Sequence, residues 1–550
     1  MRLEMSRVVP AVVAKILAGR GMAPDEMERF VFPDYERDLH DPYLMTDMEP
    51  AVTRILRARE RGEPVVVYGD YDIDGITASA VMLEVLEALG VEARSYIPDR
   101  FEEGYGINQA ALAKLQAEGA KLVVSVDCGI TSVAEARWAK LHGLDLVITD
   151  HHSVPEVIPE AVAVVNPKRP EDKYPFKELA GVGVAFKLVQ ALQARAGRPA
   201  RGQEKWLLDL VALGTVCDVV PLVGENRVLA SYGLKVLRVT RRRGLAALAA
   251  ASGVRLDGVN AYHAGYVFGP RMNAAGRLDH AARSLELVMT ESTGRAGEIA
   301  AELEELNRQR RAQQDAIFQA ADALAAERAD DPVIVLADPD WSHGVVGIVA
   351  SKLAEKWRKP ALVAQVLGDK AKGSARSVGN FNMVDSLRAN ADLLERFGGH
   401  FFAAGCTLPA ENLDELRRRL NAAGVSGAPE SAVEVPGADL ELADLEEVGW
   451  PLLGQLELLE PHGNANPRPE ISLRRLRLGR VLQMGKAGEH LRLELSDGGG
   501  RRLTAVGFGK AQQHAGLAAG QKLDVTGILN KNEYQGSSTI QLVISQLRYE

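Results

Sequence analysis

Long apolar runs are missing from this 550-residue chain. No stretch approaches ~18 consecutive apolar residues, so no membrane-spanning helix is expected. The start, Met1 to Ser6, lacks an apolar core segment and carries Glu4, so a secretory signal is not expected. Cysteine is scarce: Cys128, Cys217 and Cys406 are odd in number and far apart, which excludes a disulfide framework or a cysteine zinc site and fits a reducing cytoplasm. Excess positive charge is also absent. The formal net charge of −9 argues against a nucleic-acid coat protein. There is no internal repeat and no low-complexity tract.

What is present is ordinary globular composition, 46% hydrophobic and 25% charged, at a length that calls for three or four domains. The charge is uneven. Residues 456–550 hold 13 Lys and Arg against 9 Asp and Glu, so a net-basic C-terminal segment follows an acidic body. Pattern divides the chain into a helical lead-in (1–45), a first α/β unit (46–285), a helical connector (286–330), a second α/β unit (331–445) and a C-terminal module (456–550). Short β-rich runs at Val65–Tyr68, Val91–Ile97, Leu122–Val126, Leu144–Thr149 and Ala161–Val165 alternate with helical patterns, which predicts a parallel sheet buried on both faces. Trp206–Leu213 reads as a helix, after which the chain enters the run Gly214–Pro221. Ala428–Leu442 reads as a linker. Five alternating runs between Ser472 and Ile544 suit a small barrel of the OB type.

The chemistry-bearing residues fall into four clusters placed where strands should end: Asp70, Asp72 and Asp74; Asp127; Asp150-His151-His152; and Asp218. In open α/β sheets the functional crevice lies beyond the carboxyl ends of the strands. Acids brought together there repel one another unless a cation compensates them. Oxygen and imidazole donors without thiolates suit Mn²⁺ or Mg²⁺ ahead of zinc. So many donors are economically explained by two ions clamping a phosphoryl group. A calcium-binding EF-hand loop starting at Asp70 would need Glu at its twelfth position, and residue 81 is Val.

Asp150-His151-His152 with the preceding YGDYDIDG run (Tyr68–Gly75) resembles the DHH phosphoesterase superfamily, and GSARS (Gly373–Ser377) with GHFFAAG (Gly399–Gly405) resembles its DHHA1 domain. FGPRMNAAGR (Phe268–Arg277) and WSHGVVGIV (Trp341–Val349) narrow the resemblance to the RecJ group, the single-strand-specific 5′→3′ DNA exonucleases of bacteria. The resemblance implies a parallel-sheet DHH domain, a long helix, a smaller α/β DHHA1 domain and an OB-type barrel. It implies that Asp72 and Asp127 hold one ion, that Asp74, Asp127, His151 and Asp218 hold the other, and that Asp70 and His152 lie behind these ligands or face the phosphate. A 5′-phosphate needs forked cationic donors and hydroxyls. Ser374 and Arg376 fit that need, the resemblance adds Arg100, and His400 either meets phosphate or closes its turn. Tyr105 is a candidate for base stacking. Arg271, Arg277, Arg310 and Arg311 are placed along a passage for one strand, and Arg474, Arg475, Arg477 and Arg480 on the barrel. Arg241–Arg243 reads as a solvated face. Ala465 departs from the glycine expected in the turn before the barrel.

The expected partner is single-stranded DNA, supplied by a helicase and shared with a single-strand-binding protein, and the expected state is a cytoplasmic monomer. Two rivals are a small-substrate phosphoesterase, which needs neither barrel nor connector, and a non-catalytic scaffold, which would have lost its ligands.

Overall fold

The computed structural model describes residues 8–422, 437–534 and 536–549. The expected linker at Ala428–Leu442 lies largely outside the described residues.

Five parallel strands form the first sheet: β1 (Val65–Gly69), β2 (Ala93–Tyr96), β3 (Leu122–Val126), β4 (Asp145–Thr149) and β5 (Ala163–Val165), in the order β2-β1-β3-β4-β5. The β1 run has no polar position because both its faces are covered. Val65 and Val67 join the helical core, while Val66 and Tyr68 pack with Leu112 and Leu115 on the other side. Helices Ile73–Ala88, Gly181–Ala196 and Leu208–Cys217 supply a third of that larger core.

The connector is helix Thr293–Glu327, separated from the preceding helix Ala282–Met289 by a short break. It leads into a mixed sheet of β6 (Ile334–Asp338), β7 (Ala361–Leu367), β8 (Lys370–Arg376), β9 (Arg396–Gly399) and β10 (Ala403–Pro409), ordered β6-β7-β8-β10-β9. Only β6 and β7 are parallel.

The C-terminal module closes on itself. β12 (Ile471–Met484), β13 (His490–Ser496), β14 (Arg502–Gly507), β15 (Lys522–Tyr534) and β16 (Ser537–Tyr549) run β12-β13-β14-β16-β15, and β15 pairs back with β12. This is a five-stranded closed barrel, which leaves no sheet edge around its wall. β11 (Leu440–Leu442), assigned from the sequence to the second α/β unit, instead pairs with β12 because its alternating Leu440 and Leu442 fill the barrel's core.

The lead-in also joins that core. Val13, Ile16 and Leu17 of helix Ala11–Gly19 and Met27, Phe30 and Val31 of helix Pro24–Val31 form one apolar cluster with Leu440, Leu456, Leu473 and Leu495. Arg227, 1% exposed, fastens this body to the first α/β unit. Its guanidinium donates to Phe30 O (2.5 Å), an open carbonyl in the last turn of helix Pro24–Val31, and to Leu459 O (3.0 Å) and Glu460 O (2.9 Å) in the segment after helix Trp450–Glu457. Ala465 adopts φ +58° in the turn that Gly463 and Asn466 close in both directions, so the left-handed position expected of a glycine is present with alanine in it.

Arg241 and Arg243 are exposed, as a solvated face requires, but Arg242 between them is not. Arg242 is held by Glu84 and Asp209, and Arg241 lies 3.6 Å over the Trp206 ring.

Candidate metal centre and strand cleft

The ends of β1, β3 and β4 deliver Asp70, Asp127 and the Asp150–His152 triplet to one edge. Asp218 arrives differently. It caps the helix Leu208–Cys217 and follows no strand, because Gly214 lets that helix continue against Asp74. A Cβ on Gly214 would lie 2.5 Å from Thr77 Oγ1 and 2.7 Å from Asp74 Oδ1. Gly181 has the same function on the opposite side, where a Cβ would meet Asp127 Oδ1 at 2.3 Å. Both glycines escape a sequence reading, which sees two small residues at helix ends; the chemistry they accommodate belongs to other segments.

Each acid has a defined posture. Asp72 caps helix Ile73–Ala88, accepting from Asp74 N (2.8 Å) and Gly75 N (3.1 Å). Asn273 Oδ1 receives Ile73 N at 2.9 Å, which ties the quoted Phe268–Arg277 motif to the start of that helix. Asp74 accepts from Gly181 N (2.7 Å) and Val182 N (2.9 Å) at the start of helix Gly181–Ala196. Asp127 has φ +61°, a left-handed conformation uncommon outside glycine, and Asp residues are among those that tolerate it. Asp150 is satisfied within the fold, accepting from His151 N (2.7 Å), His152 N (3.1 Å) and Ile130 N (2.9 Å) and pairing with His152 Nδ1 at 2.7 Å. It orients the two histidines.

Three sets of donor atoms lie within 4.8 Å of one another: Asp70, Asp72 and Asp127; Asp74, His151 and Asp218; Asp127, His151 and His152. Around His151 Nε2 stand Asp127 Oδ1 (3.2 Å), Asp218 Oδ2 (3.5 Å) and Asp74 Oδ2 (3.9 Å). Burial, then the neighbouring His152 charge, push the His151 pKa down to about 3, so this ring is neutral and these contacts are not ion pairs. Burial first, then Asp72, push Asp70 up to about 8 and Asp74 up to about 7; burial, then Asp74 and Asp72, raise Asp218 to about 9 and Asp127 well above the carboxylate range. Buried Asp70 Oδ1, Asp127 Oδ1, Asp218 Oδ2 and His151 Nε2 have no hydrogen-bond partner. Buried polar atoms are otherwise almost always satisfied. Oxygen and imidazole lone pairs, desolvated, mutually repelling and aimed at one space, fit hard divalent cations such as Mn²⁺ or Mg²⁺.

His152 differs from its neighbour. Burial opposes its charge, but the hydrogen bond and charge of Asp150 prevail and raise it to about 9. Tyr105 Oη lies 3.1 Å from its Nδ1, and the Tyr105 ring meets His152 and Tyr71 edge-on.

Facing the acids is a set of guanidiniums. Arg277 donates to Gly344 O at 3.0 Å; burial, then Arg100 and Arg310, lower its pKa to about 9. Arg376 is lowered by burial and by Arg100, so the first α/β unit and β8 bring their charges close together. Arg100 rests 4.5 Å over Tyr71. A Cβ on Gly347 would stand 3.3 Å from Ser374 Oγ and 3.6 Å from the Arg376 guanidinium, so helix His343–Trp357 starts beside both. Arg310 bonds Asn307 (2.9 Å) and Gln314 (2.9 Å), two buried connector residues that the sequence reading missed. His400 is depressed by burial, then by His152 and Lys168, which puts the β9–β10 turn within electrostatic reach of His152. Arg271 is not brought into this set: it is taken up by Glu304 (2.5 Å) and Val267 O (2.9 Å).

This architecture has relatives. Residues 64–215 match the DHH family N-terminal domain, 330–424 the DHHA1 domain and 438–546 the RecJ OB domain. The single-stranded-DNA-specific exonuclease RecJ of Bacillus subtilis is 38% identical over 98% of this chain and 68% of its own length. That of Dickeya dadantii is 35% identical over 99% of this chain and 97% of its own. The crystal structure of RecJ in complex with Mn²⁺ from Thermus thermophilus superposes with a TM-score of 0.83 at 30% identity, covering 98% of this chain and 76% of that one; a Mg²⁺ complex from the same source gives 0.76. Three family models in this order, and identity sustained across nearly the whole length, mean that the chain belongs to the RecJ family.

Proposed function

We propose that this protein is a divalent-metal-dependent exonuclease that hydrolyses single-stranded DNA from its 5′ end to 5′-mononucleotides. The observation that carries the reading is the pairing of orphaned, buried carboxylate oxygens with a facing set of unneutralised guanidiniums across a cleft between two α/β units. A cation-hungry surface opposite an anion-hungry one is complementary to a phosphodiester with its ions.

In this reading Asp72 and Asp127 hold one ion, Asp74, Asp127, His151 and Asp218 hold a second, and Asp70 lies behind them with its free Oδ1. Bound there, the ions supply Lewis-acid activation of water and neutralisation of charge at phosphorus. The chain's own residues do the rest. Asp150 fixes His152 as a cation, which holds a phosphate oxygen and offers a proton beside the bond that breaks. Arg100, Ser374 and Arg376 bind the terminal 5′-phosphate, and Tyr105 stacks the first base. Arg277, Arg310 and His400 line the strand, and the arginines of β12 hold its 3′-ward part through phosphate contacts. Arg271, already paired with Glu304, supports Arg277's helix and contributes less than the sequence suggests. The protein works as a cytoplasmic monomer on strands opened by a helicase and coated by a single-strand-binding protein.

The test is hydrolysis of labelled strands of increasing length, single- and double-stranded, with Mn²⁺, Mg²⁺ or a chelator. Mononucleotides released first from the 5′ end of long single strands support the reading. Cleavage confined to dinucleotides, or release from the 3′ end, overturns it.

A further inference from the structure

Tyr262 and Tyr266 are 54% and 69% exposed, yet their rings lie face to face, 5.3 Å apart and 22° from parallel. They stand at the start of and within a π-helical turn, His263–Phe268. Such turns are rare and occur often at functional sites. The pair lines a cavity of about 550 Å³, within the roughly 300–1,000 Å³ of small-ligand sites. Val219, Pro461, Pro467 and Arg468 line the same cavity.

Three features define what this cavity takes. Its aromatic wall is open: the His263 ring lies perpendicular to Tyr262 at 5.8 Å, and Tyr266, stacked on Tyr262, is mostly exposed. Its charged lining residues are Arg468 and Glu460. Arg468 makes no hydrogen bond or ion pair within 4 Å among the described residues, and burial, then Glu457, push the Glu460 carboxyl up toward its neutral form while Arg468 opposes that shift. Its position joins the metal centre to the barrel, because Val219 directly follows Asp218 and the 461–468 segment leads into β12. Asn464 ties the two walls, donating to Val219 O (2.8 Å) and accepting from Leu222 N (2.8 Å). Val219 itself is held at φ +60°, a strained conformation for a β-branched residue, with its side chain 63% exposed.

We propose that Tyr262, Tyr266 and Arg468 form a subsite for one unpaired nucleotide of a single-stranded DNA, the base stacked on Tyr266 with Tyr262 backing it and the phosphate on Arg468. The subsite rests on the functional reading above and adds a fixed point for the strand between the barrel and the metal centre. Base–aromatic stacking is indifferent to sequence, as a non-specific nuclease requires.

The experiment walks one abasic position along a 5′-phosphorylated strand and measures binding to the full-length protein in chelator by fluorescence anisotropy. The wild type is expected to bind about tenfold more weakly when the gap falls at one interior position. In a Tyr262→Ala/Tyr266→Ala variant the intact strand binds about tenfold more weakly and that positional dip vanishes, while Tyr262→Phe/Tyr266→Phe keeps it. Arg468→Gln reduces the salt slope by about one without moving the dip. A positional profile that is the same in wild type and alanine variant overturns the subsite, as does alanine-variant affinity within twofold of wild type. Both tyrosines are exposed and Arg468 is half-buried, and unchanged melting temperatures verify folding. Hydrolysis of the intact strand by wild type with Mn²⁺ is measured alongside: if it fails, the nuclease reading falls; if it proceeds with a flat abasic profile, only the subsite falls. An unidentified peptide competing for the cavity without any abasic dip would count against a nucleotide.

Discussion

Two clusters of the first α/β unit are built around buried carboxylates and finished differently. In one, Glu225 receives His40 N (2.8 Å), Lys187 Nζ (2.6 Å) and Tyr174 Oη (2.6 Å), and both of its oxygens are occupied. In the other, Asp70, Asp127 and Asp218 each keep an oxygen without a partner. Burial depth does not separate them, since Glu225 is 1% and Asp127 2% exposed. Closure does. The first cluster is electrically complete and seats the segment around His40 against helix Gly181–Ala196. The second is completed only by something the chain does not encode.

Removing Asp127 should give the largest contrast. Asp127→Ala is expected to bring hydrolysis below about 1% of wild type. In chelator the same variant should melt higher than wild type, because one of several repelling carboxylates is gone. A variant that keeps both ions in a metal-binding titration and more than a few per cent of turnover would break the two-ion assignment.

The closed cluster should respond in the opposite sense. Lys187→Met leaves Glu225 buried without its cation, and loss of one partner of a buried pair costs about 3–5 kcal/mol. Urea unfolding of the chelated protein measures it. Destabilisation under about 1 kcal/mol would mean that the pair contributes no more than a surface one.

Arg376→Ala tests the cationic side of the cleft. It removes a charge-assisted contact worth about 1.5–3 kcal/mol, so kcat/KM should fall about 10- to 150-fold on 5′-phosphorylated strands and far less on 5′-hydroxyl strands. Equal losses on both would show that Arg376 does not read the end.

The smallest effect is a slope. Asp70, Asp74 and Asp218 have folded pKa values raised to about 8, 7 and 9 from ordinary values near 4. The folded state therefore holds more protons between these limits, so its stability is greatest at the acidic end and is lost as pH rises toward 9. Calorimetry of the metal-free protein from pH 6 to pH 9 should show a falling melting temperature. Asp74→Asn should flatten the fall, and saturating Mn²⁺ should abolish it. An identical slope in Asp74→Asn and wild type would mean that these carboxylates do not carry it.

Much of this was legible in order along the chain. β1, β3 and β4 are marked by continuous apolar runs, and their acids follow at once, so the sheet edge could be assembled from pattern alone. Asp218 could not be placed correctly, because the helix before it runs through Gly214, whose reason for being small is a carboxylate some 140 residues earlier. Arg271 and Arg277 are six residues apart in one motif and look alike in sequence. Only the fold shows that Glu304 neutralises one while the other faces Arg100 and Arg310. The union of lead-in and barrel was equally hidden, since amphipathic helices state that one face is buried and never against what.

That union sets a timetable for synthesis. The helices at Ala11–Gly19 and Pro24–Val31 leave the ribosome first, and the strands that cover their apolar faces leave last. At ~5–20 residues per second, the ~400 residues between them impose a wait of roughly 20–80 s. During that interval Val13, Ile16 and Leu17 lack the leucines of the barrel body, and a chain that stops before the barrel never acquires them. Incomplete products thus carry an exposed apolar tag at their other end, which quality-control proteases and chaperones can recognise without inspecting the catalytic unit.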